Sequence, residues 1–298
     1  MKSLVWACSV LAVLAATAAC QPGGDQAVPV ESAPRFDYQT AKIWLPLDQY
    51  AMAPEESNLL NAARIIEMRA CVIEAGVDPA WLPPDDRIAE ILTSPPYAMP
   101  DWRYGVWNAE YVSEYGIEGP SVEEPLSWLP DSPEFAAASK DPKSLYNRAM
   151  DDCGGDHATQ FVGRGAVGAK FEPWASANIE LYFEAAADKR WAAAMKTWEE
   201  CVEASGYRQN PDADGPQPEI PAGASAEAQA KAWVEAARCS DEVGTARTLA
   251  NIEAEYQVEF IGEHEAELLE IKQLVRAMAA EAEETVRAAG FTWRAPAQ

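Results

Sequence analysis

The stretch TARTLANIEAEYQVEFIGEHEAELLEIKQLVRAMAAEAEETVRAA, residues 245–289, decides the fold. Leu249, Ile252, Tyr256, Phe260, Leu268, Ile271, Val275, Met278, Ala282 and Val286 recur at steps of three and four, with one double step. That spacing lays one apolar stripe along an α-helix. At about 1.5 Å per residue the helix is a rod near 65 Å long. One short partner helix cannot shelter such a rod, and Gly262 is placed to break or bend it. The expectation is a long C-terminal helix or a helical hairpin. The stripe around Leu268, Ile271, Val275 and Met278 then has two possible fates. It is covered within a helical bundle, or it stays free to dock on another envelope protein or on a second copy.

Upstream the pattern stays helical. One helix is expected from about Ser225 through Cys239. Another region begins after Pro173 with the stripe Leu181, Ala185, Trp191, Met195, Trp198 and Val202, and ends at CVEASG, residues 201–206. A first helix starts near Ser57, carries Leu59, Ala63, Ile66 and Ala70 on one face, and ends at CVIEAG, residues 71–76. Both ends read Cys-Val-x-x-x-Gly, with glycine where a helix closes in the left-handed conformation. Each is followed by one further cysteine, Cys153 or Cys239. A degenerate internal duplication accounts for this, as does chance in helix-ending sequence. Between the first helix and the second region, residues 78–142 are rich in proline and aromatics (WLPPDD, SPPYAMPDW, EEPLSWLPDSPEF). Such a region is irregular, with short helices whose aromatics pack a core or stack on a sugar.

The N-terminus sets location. Residues 4–19, LVWACSVLAVLAATAA, are apolar behind Met1-Lys2-Ser3, and the run is short for a membrane span. It ends Thr17-Ala18-Ala19-Cys20 and is followed by Gln21-Pro-Gly-Gly-Asp, a flexible polar tether. This ending resembles the lipobox of bacterial lipoproteins, with Thr17 where leucine is usual. The resemblance implies cleavage before Cys20 and a lipid (diacylglycerol, with acyl chains such as palmitate) on its thiol. The expected division is therefore 1–19 signal peptide, 20–54 lipid-anchored tether, 55–172 first helical and irregular half, and 173–298 second helical half. Of six cysteines, Cys8 leaves with the signal and Cys20 is acylated. Cys71, Cys153, Cys201 and Cys239 remain, an even number suited to two disulfides outside the cytoplasm. Three pairings are possible. The repeated helix end favours Cys71–Cys153 and Cys201–Cys239. A four-cysteine zinc site would want close C-x-x-C pairs, which the sequence lacks.

The lipobox, RYGVWNAEYVSEYG (103–116), WEECVEASGY (198–207), ARCSDEVG (237–244) and IEAEYQVEFIGEHEAEL (252–268) together resemble a group of actinobacterial lipoproteins of undetermined function. The resemblance spans most of the mature chain and implies location and crosslinks. It carries no activity, ligand or cofactor. The net charge of −25 repels nucleic acid, whose backbone readers are basic.

Motifs with chemical potential are sparse. GRGAVG, residues 163–168, has dinucleotide-loop glycines without the strand such a loop needs, and reads as a flexible loop. NPDADG, residues 210–215, puts Asn210, Asp212 and Asp214 at calcium-loop positions 1, 3 and 5, but Pro221 stands at position 12. The same residues make an ordinary helix-to-helix turn. His157 lies near Asp151, Asp152 and Asp156, and His264 lacks the second histidine of H-E-x-x-H. The expectation is a non-catalytic accessory or binding protein on the outer face of the cell membrane, without cofactor. Its rivals are a transporter's solute-binding lipoprotein, which needs two α/β lobes, and an envelope hydrolase, which needs a convergent cleft.

Overall fold

The computed structural model describes residues 31–94, 100–120, 130, 132–162, 166–213 and 215–294; for 155–162 and 166–175 it describes the backbone alone. The fold is mainly α. A short antiparallel hairpin comes first: β1 (Arg35–Asp37) pairs with β2 (Lys42–Trp44), Arg35 opposite Trp44 and Phe36 opposite Ile43. The Asp37 carboxylate accepts the Gln39 and Thr40 amides and so forms the turn. A 3-10 turn (Pro46–Tyr50) leads to α1 (Pro54–Glu74). Then come α2 (Asp85–Thr93), α3 (Ala109–Tyr115), α4 (Pro133–Lys140), α5 (Leu145–Val162) and α6 (Ala166–Ala186). The chain closes with α7 (Lys189–Ala204), α8 (Ala226–Val243) and α9 (Thr245–Ala288). Among the described residues the only sheet is this pair of strands, so the two α/β lobes of a transporter's solute receptor are not there.

Helix ends follow local chemistry. α1 begins at Pro54 and not at Ser57, because proline suits a first helical position and Glu56 accepts the Ala53 amide at 3.0 Å. α6 and α7, expected as one stretch, are separated where the Asp188 carboxylate caps α7 by accepting the Arg190 amide at 2.8 Å. The two Cys-Val-x-x-x-Gly ends are built alike. Gly76 (φ +92°) and Gly206 (φ +87°) take the left-handed position. The Val77 amide reaches the Val72 carbonyl at 3.2 Å and the Tyr207 amide the Val202 carbonyl at 3.0 Å. Both are Schellman closures. They hold Cys71 and Cys201 in the last turn, where disulfides join Cys71 to Cys153 and Cys201 to Cys239, with Cα separations of 5.8 and 5.7 Å. These are the two bridges that the repeated helix end favours.

Most of the long stripe of α9 is internal; Tyr256 and Phe260 are half-buried, while Gln257 and Ile261 beside them are buried. Its N-terminal part, with Leu249, Ala250 and Ile252, packs with Tyr104, Trp107, Ala185 and Trp191. Its C-terminal part, with Met278, Ala282 and Val286, packs on Leu59, Leu60 and Ala63 of α1 and Ile88 of α2. Leu268, Ile271, Val275 and Met278 are all buried, which rules them out as a free docking surface. The rod is sheltered by different elements at its two ends, and the 3-10 turn covers its middle: Lys272 lies over the Tyr50 ring at 5.5 Å. The helix also bends, at His264 (φ −121°, ψ 18°), two residues past Gly262.

Two expected boundaries are displaced. Residues 31–54 are not all tether, since Ala41, Ile43, Leu45, Leu47 and Tyr50 are buried in the core. The division at 172/173 falls inside α6, and Glu31–Gln298 is one compact unit. On the first face of α1, Ala70 is exposed and Val72 is buried in its place. The aromatics of the irregular region pack a core: Trp107 and Tyr104 are buried, and Trp81, Phe135 and Tyr146 form an edge-to-face cluster.

Candidate functional site

Two features set this molecule apart from a plain bundle: a buried polar network, and a cleft whose wall the network holds. The network starts in the RYG segment. Gly105 has φ +78°, and a Cβ there would stand 2.3 Å from the Pro216 carbonyl oxygen, so only glycine fits. Beside it, Arg103 Nη1 and the Tyr104 hydroxyl donate to Glu253 of α9 at 2.5 and 2.7 Å. Gln257, one turn on, donates to Glu253 at 3.0 Å and accepts the Leu47 amide at 3.0 Å. Arg103 also donates to Asn178 of α6 at 3.3 Å.

Glu253 and Gln257 are fully buried. A carboxylate taken from water is costly unless paired and hydrogen-bonded, and Glu253 receives three donors. Burial pushes the Glu253 carboxyl up, and the Arg103 guanidinium works against that rise. Burial acts against the Arg103 charge, but Glu253, Tyr104 and Asp101 outweigh it and keep Arg103 a cation. Burial and then Glu253 push the Tyr104 hydroxyl far up, which keeps it a donor. The network thereby ties α9, α6, the Arg103 segment and the 3-10 turn to one another.

A cleft of about 600 Å³ lies beside that turn. Arg35 and Trp44 of the hairpin, Asp48 and Gln49 of the turn, the first turn of α1, and Lys272, Val275 and Arg276 of α9 line it. Its volume lies within the span of small-molecule sites, about 300–1,000 Å³. The carboxylates on its walls divide into two groups. Asp37 accepts the Gln39 and Thr40 amides, Asp48 the Leu45 amide and Glu56 the Ala53 amide. Burial also pushes the Asp48 carboxyl up. Glu31 and Glu55 make no such bond among the described residues. Against these stand three cations. Arg35 lies over the Trp44 ring at 5.3 Å, Lys272 over Tyr50, and Arg276 one turn along α9 from Lys272. None of the three forms a direct salt bridge among the described residues, although the Arg35 charge acts on the Asp37 carboxyl. Burial and then the neighbouring Arg276 charge push the Lys272 amine down.

The residues singled out in the sequence are not gathered at this cleft, apart from Val275, which lines it while buried. Cys20, GRG of 163–165 and Asp214 lie outside the described residues, as do the side chains of Asp156 and His157. Asn210 turns its side-chain oxygen back to the Asp212 amide at 3.1 Å, as in an ordinary Asx turn, and Gln209 bridges to Pro218 across the loop. His264 stacks on Phe260 and meets Glu267 at 3.0 Å on an exposed face. Comparison with protein-family models, with curated proteins and with solved structures finds no match to this chain. Lys272 and Arg276 belong to no sequence motif. On a glutamate-rich helix, neither has a carboxylate three or four residues away, where Arg287 has Glu283.

Proposed function

We propose that the protein is a lipid-anchored, non-catalytic binding protein of the cell envelope, and that the cleft beneath the hairpin is its binding site. The observation that carries this reading is the cleft of about 600 Å³, whose lining mixes five carboxylates, three cations and the Trp44 ring. A solvated acidic surface has no need of such a recess. Two disulfides suit an oxidising compartment, and the lipobox-like ending at Cys20 supports attachment through acyl lipid. The resemblance to actinobacterial lipoproteins points to the same location. Glu31, at the rim of the cleft, is eleven residues from Cys20.

The test is retention of a native ligand. The full chain is isolated from its own membranes, denatured, and the released small molecules are identified by mass spectrometry. We expect a species that is present with wild type and depleted at least tenfold with Trp44→Ala. Equal recovery from both proteins, or none from either, removes the cleft as a binding site. Membrane attachment is read separately: Cys20→Ser should release the mature chain or leave it as uncleaved precursor. An unmodified Cys20 in the native N-terminal peptide contradicts the anchor.

A further inference from the structure

We propose that the outward face of α6 around Ile179 and Phe183 docks a basic, apolar-edged segment of another protein. Among the described residues none of α6 lines the cleft, so this surface stands apart from the binding site proposed there.

Exposure of apolar surface carries the argument. Ile179 and Phe183 are 61 and 62 % exposed, whereas Tyr38, Ile73, Tyr115, Leu145 and Leu269 lie between 37 and 46 %. A single exposed apolar side chain is ordinary on a protein surface. These two are four apart on one helix and are therefore neighbours. Tyr182 and Ala186 beside them are half-buried against the core, so an apolar band runs outward from the core at steps of three and four. The Tyr182 ring meets the buried Trp191 ring at 5.5 Å and the Phe183 ring at 5.6 Å, which joins the exposed ring to the core. Leu181 and Ala185 of the same helix are buried. Turning α6 to hide Ile179 and Phe183 would bring those two out, so the face stays presented.

Charge decides which occupant fits. Glu180 and Glu184 follow the apolar pair residue by residue and are both exposed, which sets a line of carboxylates alongside the apolar line. None of the salt bridges among the described residues uses either of them, the nearest being those of Asp188 and Arg190. A second copy docking through the same patch would bring like carboxylates together, between chains of net charge −25. An anionic bilayer would be repelled in the same way. A segment whose apolar ridge is edged with lysine or arginine covers both lines at once and meets them with the opposite potential.

The experiment puts a photocrosslinking side chain into the full chain in intact cells, as Phe183→p-benzoylphenylalanine. Leu269→p-benzoylphenylalanine, at another exposed apolar position, is the control. Crosslinked peptides are sequenced by mass spectrometry. Position 183 should give a peptide of another protein that carries net positive charge and a large apolar residue, and position 269 should not. Adding Glu180→Lys/Glu184→Lys should lower the yield at least tenfold. Glu110→Lys/Glu114→Lys, the same charge reversal on exposed positions of α3, should change it less than twofold. All four glutamates are exposed, so thermal melts of both variants should match wild type. The proposal is overturned by no crosslink beyond that at position 269, or by a neutral or acidic peptide. It is overturned equally by crosslinks to this chain's own peptides from a second copy, or to lipid. A yield that ignores the α6 reversal, or falls as much with the α3 reversal, also overturns it. Each of these results leaves the cleft reading standing, because that reading is tested through Trp44.

Discussion

Replacing Glu253 by glutamine should be the most damaging near-isosteric change on α9. The carboxylate is fully buried and accepts from Arg103, Tyr104 and Gln257. An amide offers one oxygen in place of two and adds a donor facing donors. Breaking a buried ion pair by removing one partner costs about 3–5 kcal/mol. The Arg103 side chain is 29 % exposed and recovers some hydration, so the lower figure, about 3 kcal/mol, applies. For a chain of this size that is a fall in Tm of roughly 6–12 °C. Glu255→Gln is the matched control two residues away. Glu255 pairs with Arg190 at 2.8 Å but is 61 % exposed, and such surface pairs contribute about 1 kcal/mol or less. Urea unfolding followed by circular dichroism measures both. Equal midpoints for the two variants would refute the view that the RYG segment and α9 are locked through Glu253.

Leu268→Ala should cost about 2–5 kcal/mol, because Leu268 is 2 % exposed. Its neighbour Leu269 is 43 % exposed, and Leu269→Ala should stay within about 0.5 kcal/mol; similar losses in thermal melts would return the stripe to the surface. Acid should act partly through Asp188, whose carboxyl the Arg190 hydrogen bonds hold down to about 2, with Tyr256 also donating to it and Glu255 sharing Arg190. A folded-state value below the unfolded one gives stability that is present above about pH 4 and lost as pH falls toward 2. Asp188→Asn keeps a capping side chain but cannot titrate, so its melts should lose less stability than wild type between pH 5 and 2; parallel losses contradict the assignment. Breaking either disulfide by a Cys→Ser pair should cost on the order of 4 kcal/mol, since the bridges close loops of 82 and 38 residues. Unreduced peptide maps that link Cys71 to Cys201 or Cys239 would contradict the pairing.

Much of the fold is legible in the sequence because it is local and periodic. The stripe of α9 follows from steps of three and four, and the disulfide pairing from one helix-ending motif used twice. What escapes is assembled from distant segments. Leu268 to Met278 look free in isolation, because their cover comes from the 3-10 turn and from α1, some two hundred residues earlier. The segment 31–54 reads as tether because its strands are three residues each and prolines surround them. Arg103 and Glu253 are 150 residues apart, and no spacing rule joins them. The cleft is missed for the same reason, since its walls come from residues 31–56 and 272–276.

Hydrogen exchange tests the cleft most directly. The full chain is exchanged as isolated from its own membranes and again after what it retains has been removed. Amides of residues 44–56 should slow on binding, together with those of α9 around Lys272 and Arg276, while the loop at residues 208–219 is unchanged. Protection confined to that loop, or none in the two cleft-lining segments, would contradict the account.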